Sequence, residues 1–183
     1  MNKIFRILFL LLFCFISICN QSFADENKIK IGLLVPLSGD NAALGDQIVK
    51  ATRMALKDIS SSNIEIFPKD TQSDPNITLR SAIEFTQLGI NLVIGPIFYD
   101  NLKYLDEVKN ITFLSFTNKT LDLPKNVLSA GVNSTSQINT IKKFIELNQI
   151  KKSIFLVPKS NYDLEIKHGI KNSKIKNIKQ HYY

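Results

Sequence analysis

Hydrophobic positions along this chain follow two periods, and the switch from one to the other recurs. Ile31, Leu33, Leu34 and Val35 form a nearly continuous apolar run that Pro36 and Gly39 stop, after which Leu44, Ile48, Ala51, Ala55 and Ile59 recur at helical spacing. A run apolar on both sides predicts a buried strand. Residues 30–45 therefore open a strand–turn–helix unit. A second strand is predicted at 64–67, and Asp74-Pro75 then offers a helix cap and a first-turn proline ahead of Leu79, Ile83 and Leu88. Residues 92–94 form a third strand, ended by Gly95-Pro96, and Leu102, Leu105 and Val108 mark a short helix. Strands follow at 113–116 and, more weakly, at 127–130, then a helix at 135–147, a strand at 154–157, a helix at 163–172 and a final strand at 175–182. Strands and helices in such regular alternation predict the α/β class, with a parallel, doubly wound (Rossmann-like) sheet covered by helices on both faces.

The first residues obey a different pattern. Lys3 and Arg6 precede an apolar stretch of about thirteen residues, and Ser22-Phe23-Ala24 supplies small residues where a signal peptidase reads. That stretch is short of the roughly 20 apolar residues a spanning helix needs. Cys19 is a poor lipidation site because the bulky Ile18 precedes it. Residues 1–24 are thus expected to be a signal peptide cleaved after Ala24, and the compartment is expected to be the periplasm.

Export changes how the cysteines are read. Cys14 and Cys19 both lie in the leader, so the chain after it has no thiol and needs an ordinary hydrophobic core. Roughly 160 residues suffice for a domain of common size. Loss of Lys3 and Arg6 lowers the basic count from 23 to 21 against 16 acids, and the formal charge from +7 to +5. The excess comes mainly from lysines between Lys142 and Lys179, interleaved with Ile and Asn rather than with stacking aromatics. Solvated helix faces account for them, and a nucleic-acid partner is not expected.

In a parallel α/β sheet the site lies beyond the carboxyl ends of the strands. Ser38, Asp70-Thr71-Gln72, Tyr99, Ser115-Phe116-Thr117-Asn118 and Ser160-Asn161-Tyr162 all fall there. Hydroxyls and amides dominate, which with free helix N–H groups suits a small polar or anionic ligand held without covalent chemistry. Taken singly, each residue has a plainer role: Ser38-Gly39 as a turn, Asp70 as a turn residue, Asp74 as a cap, Tyr99 as packing over the sheet edge or as a pocket residue. Their joint placement is what points to binding.

Catalysis has no comparable signal. His168 and His181 stand among lysines with no second metal ligand at helical spacing, and no GxSxG, HExxH or GxxxxGK[ST] pattern occurs. No enzyme activity, metal or cofactor is expected.

Several motifs in order carry a family resemblance: Gly32, Pro36-Leu37-Ser38-Gly39, Ala42 and Gly45; then Asp70-Thr71-Gln72-Ser73-Asp74-Pro75; then Ile94-Gly95-Pro96. The chain resembles the type I periplasmic binding proteins of the leucine/isoleucine/valine-binding class. The likeness continues through Ser115-Phe116-Thr117-Asn118, Ala130-Gly131-Val132-Asn133-Ser134 and Leu156-Val157-Pro158 with Tyr162. The Ser-Phe-Thr-Asn stretch and the Val-Pro before Asn-Tyr look most like the penicillin-binding protein activator branch. The resemblance implies the type I fold, with residues 28–148 as most of lobe one and 151–183 as the start of lobe two. Members of the family run to about twice this length, which makes a fragment of a longer reading frame the expectation.

It implies two competing functions. One is a solute-binding protein that holds an amino acid or similar small polar ligand for an ABC permease, through Ser38, Tyr99, Ser115, Thr117, Asn118 and Tyr162. The alternative is a regulatory protein of cell-wall synthesis whose partner is a penicillin-binding protein. Three departures alter the pocket: Leu44 replaces a pocket tyrosine, Tyr99 stands where a serine binds the ligand carboxylate, and the family's Tyr-Gly becomes Tyr162-Asp163.

Overall fold

The computed structural model describes residues 28–60, 63–157, 159–160, 162–176 and 178–183. The expected leader, Pro158 and Asn161 lie outside them. The order is β1 (Ile29–Val35), α1 (Ala42–Ile59), β2 (Ile64–Asp70), α2 (Pro75–Gln87), β3 (Leu92–Ile94), β4 (Thr112–Ser115), β5 (Val127–Ser129), α3 (Ser134–Leu147), β6 (Ser153–Val157), α4 (Asp163–Ser173) and β7 (Ile178–Tyr182). Five strands form one sheet in the order β2-β1-β3-β4-β5, and every pairing in it is parallel. β6 and β7 form a separate parallel pair. Parallel α/β architecture is as predicted, divided between two sheets.

Burial explains why the opening apolar run is a strand. β1 lies between β2 and β3, and Leu33, Leu34 and Val35 are at most 1% exposed, so both faces of the strand are covered. Gly32 leaves room for Phe85: a Cβ there would stand 2.7 Å from the phenyl ring and 2.9 Å from Val93. Gly45 lets α1 pack against the Pro36 turn, because a Cβ would fall 1.8 Å from the Pro36 carbonyl oxygen. Leu34, Ala82, Phe85, Val93, Leu105, Ile111 and Phe113 make the centre of the core, between α2 and the sheet.

The segment after β3 departs from the predicted short helix. It forms two 3-10 turns, Tyr99–Leu102 and Leu105–Glu107. Leu102, Leu105 and Val108 recur every third residue, a spacing that a 3-10 turn satisfies as well as an α-helix, and all three are buried. Asn126 braces this segment, its amide donating to the carbonyls of Leu105, Val108 and Ile111 at 2.8, 3.0 and 3.2 Å.

α2 starts as its residues predict. The Asp74 carboxylate accepts from the amides of Asn76 and Ile77 at 2.8 and 2.9 Å, and Pro75 needs no donor there. α3 is capped by the Asn133 side chain and meets α4 at Gly169, where a Cβ would lie 2.9 Å from Ser134. Among the described residues no helix is long and apolar enough to cross a membrane.

Candidate functional site

All strands of the five-stranded sheet run the same way, so the loops after β1, β2, β3 and β4 emerge at one end. Ser38, Thr117 and Asn118 are on those loops, Tyr99 opens the 3-10 turn that follows β3, and Asp70 ends β2. They fall into two groups.

The first group joins the β1 and β2 loops. Asp70 ends β2, and its carboxylate accepts from the Ser38 hydroxyl at 2.6 Å and from the amides of Leu37 and Gln72 at 2.7 and 2.9 Å. Burial pushes the Asp70 carboxyl up, but the Ser38 hydroxyl and the amides of Gln72, Leu37 and Ser38 outweigh it and hold the group below the ordinary carboxylate value. Ser38 is exposed, with its hydroxyl directed at Asp70. Asp74 acts as a cap, the plainer of its two possible roles.

The second group gathers Tyr99, the loop after β4 and α4. Thr117 is 3% exposed; its amide donates to Ser115 Oγ at 3.2 Å and its hydroxyl accepts from the Lys119 amide at 3.2 Å. Ser115 is fully buried, and its hydroxyl donates to the Pro96 carbonyl at 2.7 Å. Its place is inside the wall of the site, shaping the Gly95-Pro96 turn and the start of the next loop. Asn118 is exposed, and its carbonyl accepts from the Tyr162 hydroxyl at 3.1 Å. Tyr99 carries the Lys119 ammonium 3.9 Å from its ring centre, a cation–π contact. Its hydroxyl reaches the Asp122 carbonyl at 3.5 Å. Both tyrosines titrate above their ordinary value: Tyr99 through burial and then the charges of Asp122, Glu165 and Asp100, Tyr162 through burial and then Glu165. Each stays a neutral donor near neutral pH. A cavity of about 470 Å³ opens beside Tyr99, lined also by Asp100, Lys103 and Asp122; Ser38, Thr117 and Tyr162 are not in its wall.

The residue at the centre of the second group is one that sequence reasoning missed. Glu165 is 3% exposed and accepts three bonds of 2.8 Å from Thr120 and Leu121, 45 and 44 residues earlier in the chain. An acid in the first turn of a helix ordinarily faces solvent and complements the helix dipole, so nothing local marked it. The one available signal was its neighbourhood: Glu165 stands three residues after Tyr162, just beyond the Ser160-Asn161-Tyr162 stretch expected to face the site.

Parallel sheets with polar loops gathered at the strand ends define a binding-protein architecture, and comparison with known proteins places it. The family model described as periplasmic binding protein matches residues 28–173, and the chain belongs to that family. An uncharacterised protein of Methanocaldococcus jannaschii is 33% identical over 107 residues, which cover 54% of this chain and 24% of the relative. Among solved structures, the C-domain of LpoA from Haemophilus influenzae, a regulator of PBP1A, matches with a TM-score of 0.69 at 19% identity, over 84% of this chain and 50% of that one. The leucine-binding protein LivK of Thermotoga maritima matches with a TM-score of 0.54 at 14% identity, over 85% of this chain and 49% of that one. These likenesses establish the type I fold. The chain spans about a quarter of the curated relative it matches and about half of each of the two solved chains.

Proposed function

We propose that this is a non-catalytic periplasmic solute-binding protein of the leucine-binding class, which holds a small polar ligand for uptake through an ABC permease. The ligand would lie between a first lobe, residues 28–148, and the start of a second, residues 151–183. One observation carries this reading: four loops of the five-stranded sheet end together, and Tyr162 from the second segment reaches Asn118 on the first at 3.1 Å. Ser38, Tyr99, Thr117, Asn118 and Tyr162 are the proposed ligand-facing set, with Ser115 supporting Thr117 from within. Calorimetry of the purified protein against amino acids, amides and short peptides tests it. Saturable heat with one class is expected, weakened by Tyr162→Phe; no heat with any of them overturns the reading. Mass spectrometry of the exported protein tests the periplasmic assignment, with a mature chain beginning at Asp25 expected.

A second reading has its own support. Two hydroxyls of the ligand-facing set are already engaged within the chain: Ser38 by Asp70 and Tyr162 by Asn118. A surface whose donors are satisfied suits protein docking better than capture of a solute. In this reading the chain resembles LpoA in role as well as fold and regulates a penicillin-binding protein. A pull-down from envelope extract separates the two, since recovery of permease subunits without a cell-wall synthase removes the regulatory reading.

A further inference from the structure

One buried carboxylate joins the loop after β4 to helix α4. Glu165 Oε1 accepts from the consecutive backbone amides of Thr120 and Leu121, each at 2.8 Å, while Oε2 accepts from the Thr120 hydroxyl at 2.8 Å. Successive amides aimed at one oxygen form a concave anion site of the kind called a nest. The helix is held on other sides too: Ser134 Oγ donates to the Glu165 carbonyl at 2.6 Å, Gly169 brings α4 against Ser134, and Tyr162 donates to Asn118. Among the described residues Glu165 makes no ion pair with a lysine or arginine; the nearby Lys119 lies over the Tyr99 ring instead. Three hydrogen-bond donors, with His168 one helical turn further along α4 adding a smaller favourable charge, therefore hold this carboxylate out of water, which is what a site shaped for a carboxylate does.

We propose that Thr120 and Leu121 form a carboxylate-binding site that the protein keeps filled with its own Glu165, a latch joining the five-stranded sheet to α4 that an external carboxylate must displace. The latch holds whether the neighbouring cleft takes a solute or docks a synthase. It identifies the chemistry the three donors accept: a carboxylate presented to two adjacent amides and one hydroxyl.

Acetate is the probe, read by amide NMR on the full chain. In the unaltered protein, acetate leaves the Thr120 and Leu121 signals in place because the site is occupied. Glu165→Ala vacates it, and the same two amides then shift saturably, with a Kd on the order of 1–10 mM. Glu165→Gln keeps the shape and leaves a carbonyl oxygen to accept from both amides, but removes the charge that strengthens those bonds, so exchange at both amides is expected to be several-fold faster. Equal acetate shifts in the unaltered protein and Glu165→Ala overturn the proposal, as does unchanged exchange in Glu165→Gln. Should Glu165→Ala lose its far-UV helical signal, the unaltered protein decides: Thr120 and Leu121 exchanging in step with α4 supports the latch, and exchange at the rate of a free loop overturns it.

Discussion

The two sheets differ in what holds them. The five-stranded sheet is closed by apolar packing, with Phe85, Phe113, Leu34 and Val93 fully buried between α2 and the strands. The β6–β7 pair has far less of this: Ile154 and Leu156 are 68% and 67% exposed, and Phe144 and Leu147 on α3 are 61% and 73% exposed. The second region keeps a small apolar centre of Val157, Ile138 and Ile170, and the bonds of Glu165, Ser134 and Tyr162 tie α4 to the loop after β4 and to α3. A hydrophobic core is tolerant of solution conditions, whereas a polar contact depends on charge and on competing ligands. The first region behaves as scaffold and the second as the responsive part.

The largest break in that contrast should come from Phe85→Ala. Removing the ring from a fully buried site is expected to cost about 3–5 kcal/mol and to lower the denaturation midpoint of the whole described chain. Urea unfolding followed by circular dichroism checks it. Glu165→Ala should act where α4 meets the loop after β4, leaving three half-buried donors without their acceptor at a cost of about 1–2 kcal/mol. Hydrogen exchange should then rise in α4 and residues 117–121 while β1 and β3 remain protected; a uniform rise would show that the two regions do not differ.

Acid provides a gentler probe of the same contrast. Burial raises the Glu165 carboxyl, but the amides of Leu121 and Thr120, the Thr120 hydroxyl and the charge of His168 prevail and lower it below its ordinary value of 4.5. A depressed folded-state pKa contributes stability that is complete above the unfolded value and is lost as pH falls through the folded one. The latch should therefore hold at neutral pH and loosen well into the acid range. Tyr99 and Tyr162 beside it are uncharged throughout that range, and the charge of His168 lowers the Glu165 carboxyl, so it delays the loosening rather than causing it. Exchange measured from pH 6 downwards should show α4 loosening before β1 does. The smallest expected effect is that of Asp74→Ala, about 1 kcal/mol from the lost cap of α2, confined to the first region.

Much of the first region was legible in advance because its determinants are local. The apolar run ending at Val35, the Asp74-Pro75 cap and the breaks at Gly39 and Gly95 each act over a few residues, and the corresponding elements form within one or two residues of the predicted bounds. The 3-10 turns after β3 were visible as a spacing of three but read as helix, since three positions do not by themselves distinguish two helical periods. Candidate site residues were located by their positions after strand ends. Their engagements were not legible: that Ser38 meets Asp70 and that Ser115 turns inward to Pro96 depend on which loop lies beside which.

The sequence by itself determined the α/β class, the order of elements, the family and the end of the sheet at which polar loops collect, because periodicity, caps and turn residues are properties of neighbouring positions. Only the tertiary structure decided that the strands divide into sheets of five and two, that Glu165 is buried, and that Thr120 and Leu121 are its partners. A hydrogen bond across 44 residues leaves no periodic trace in the chain. It exists because the parallel crossovers carry a loop and a helix to the same place, where a charge that would otherwise face water meets two amides.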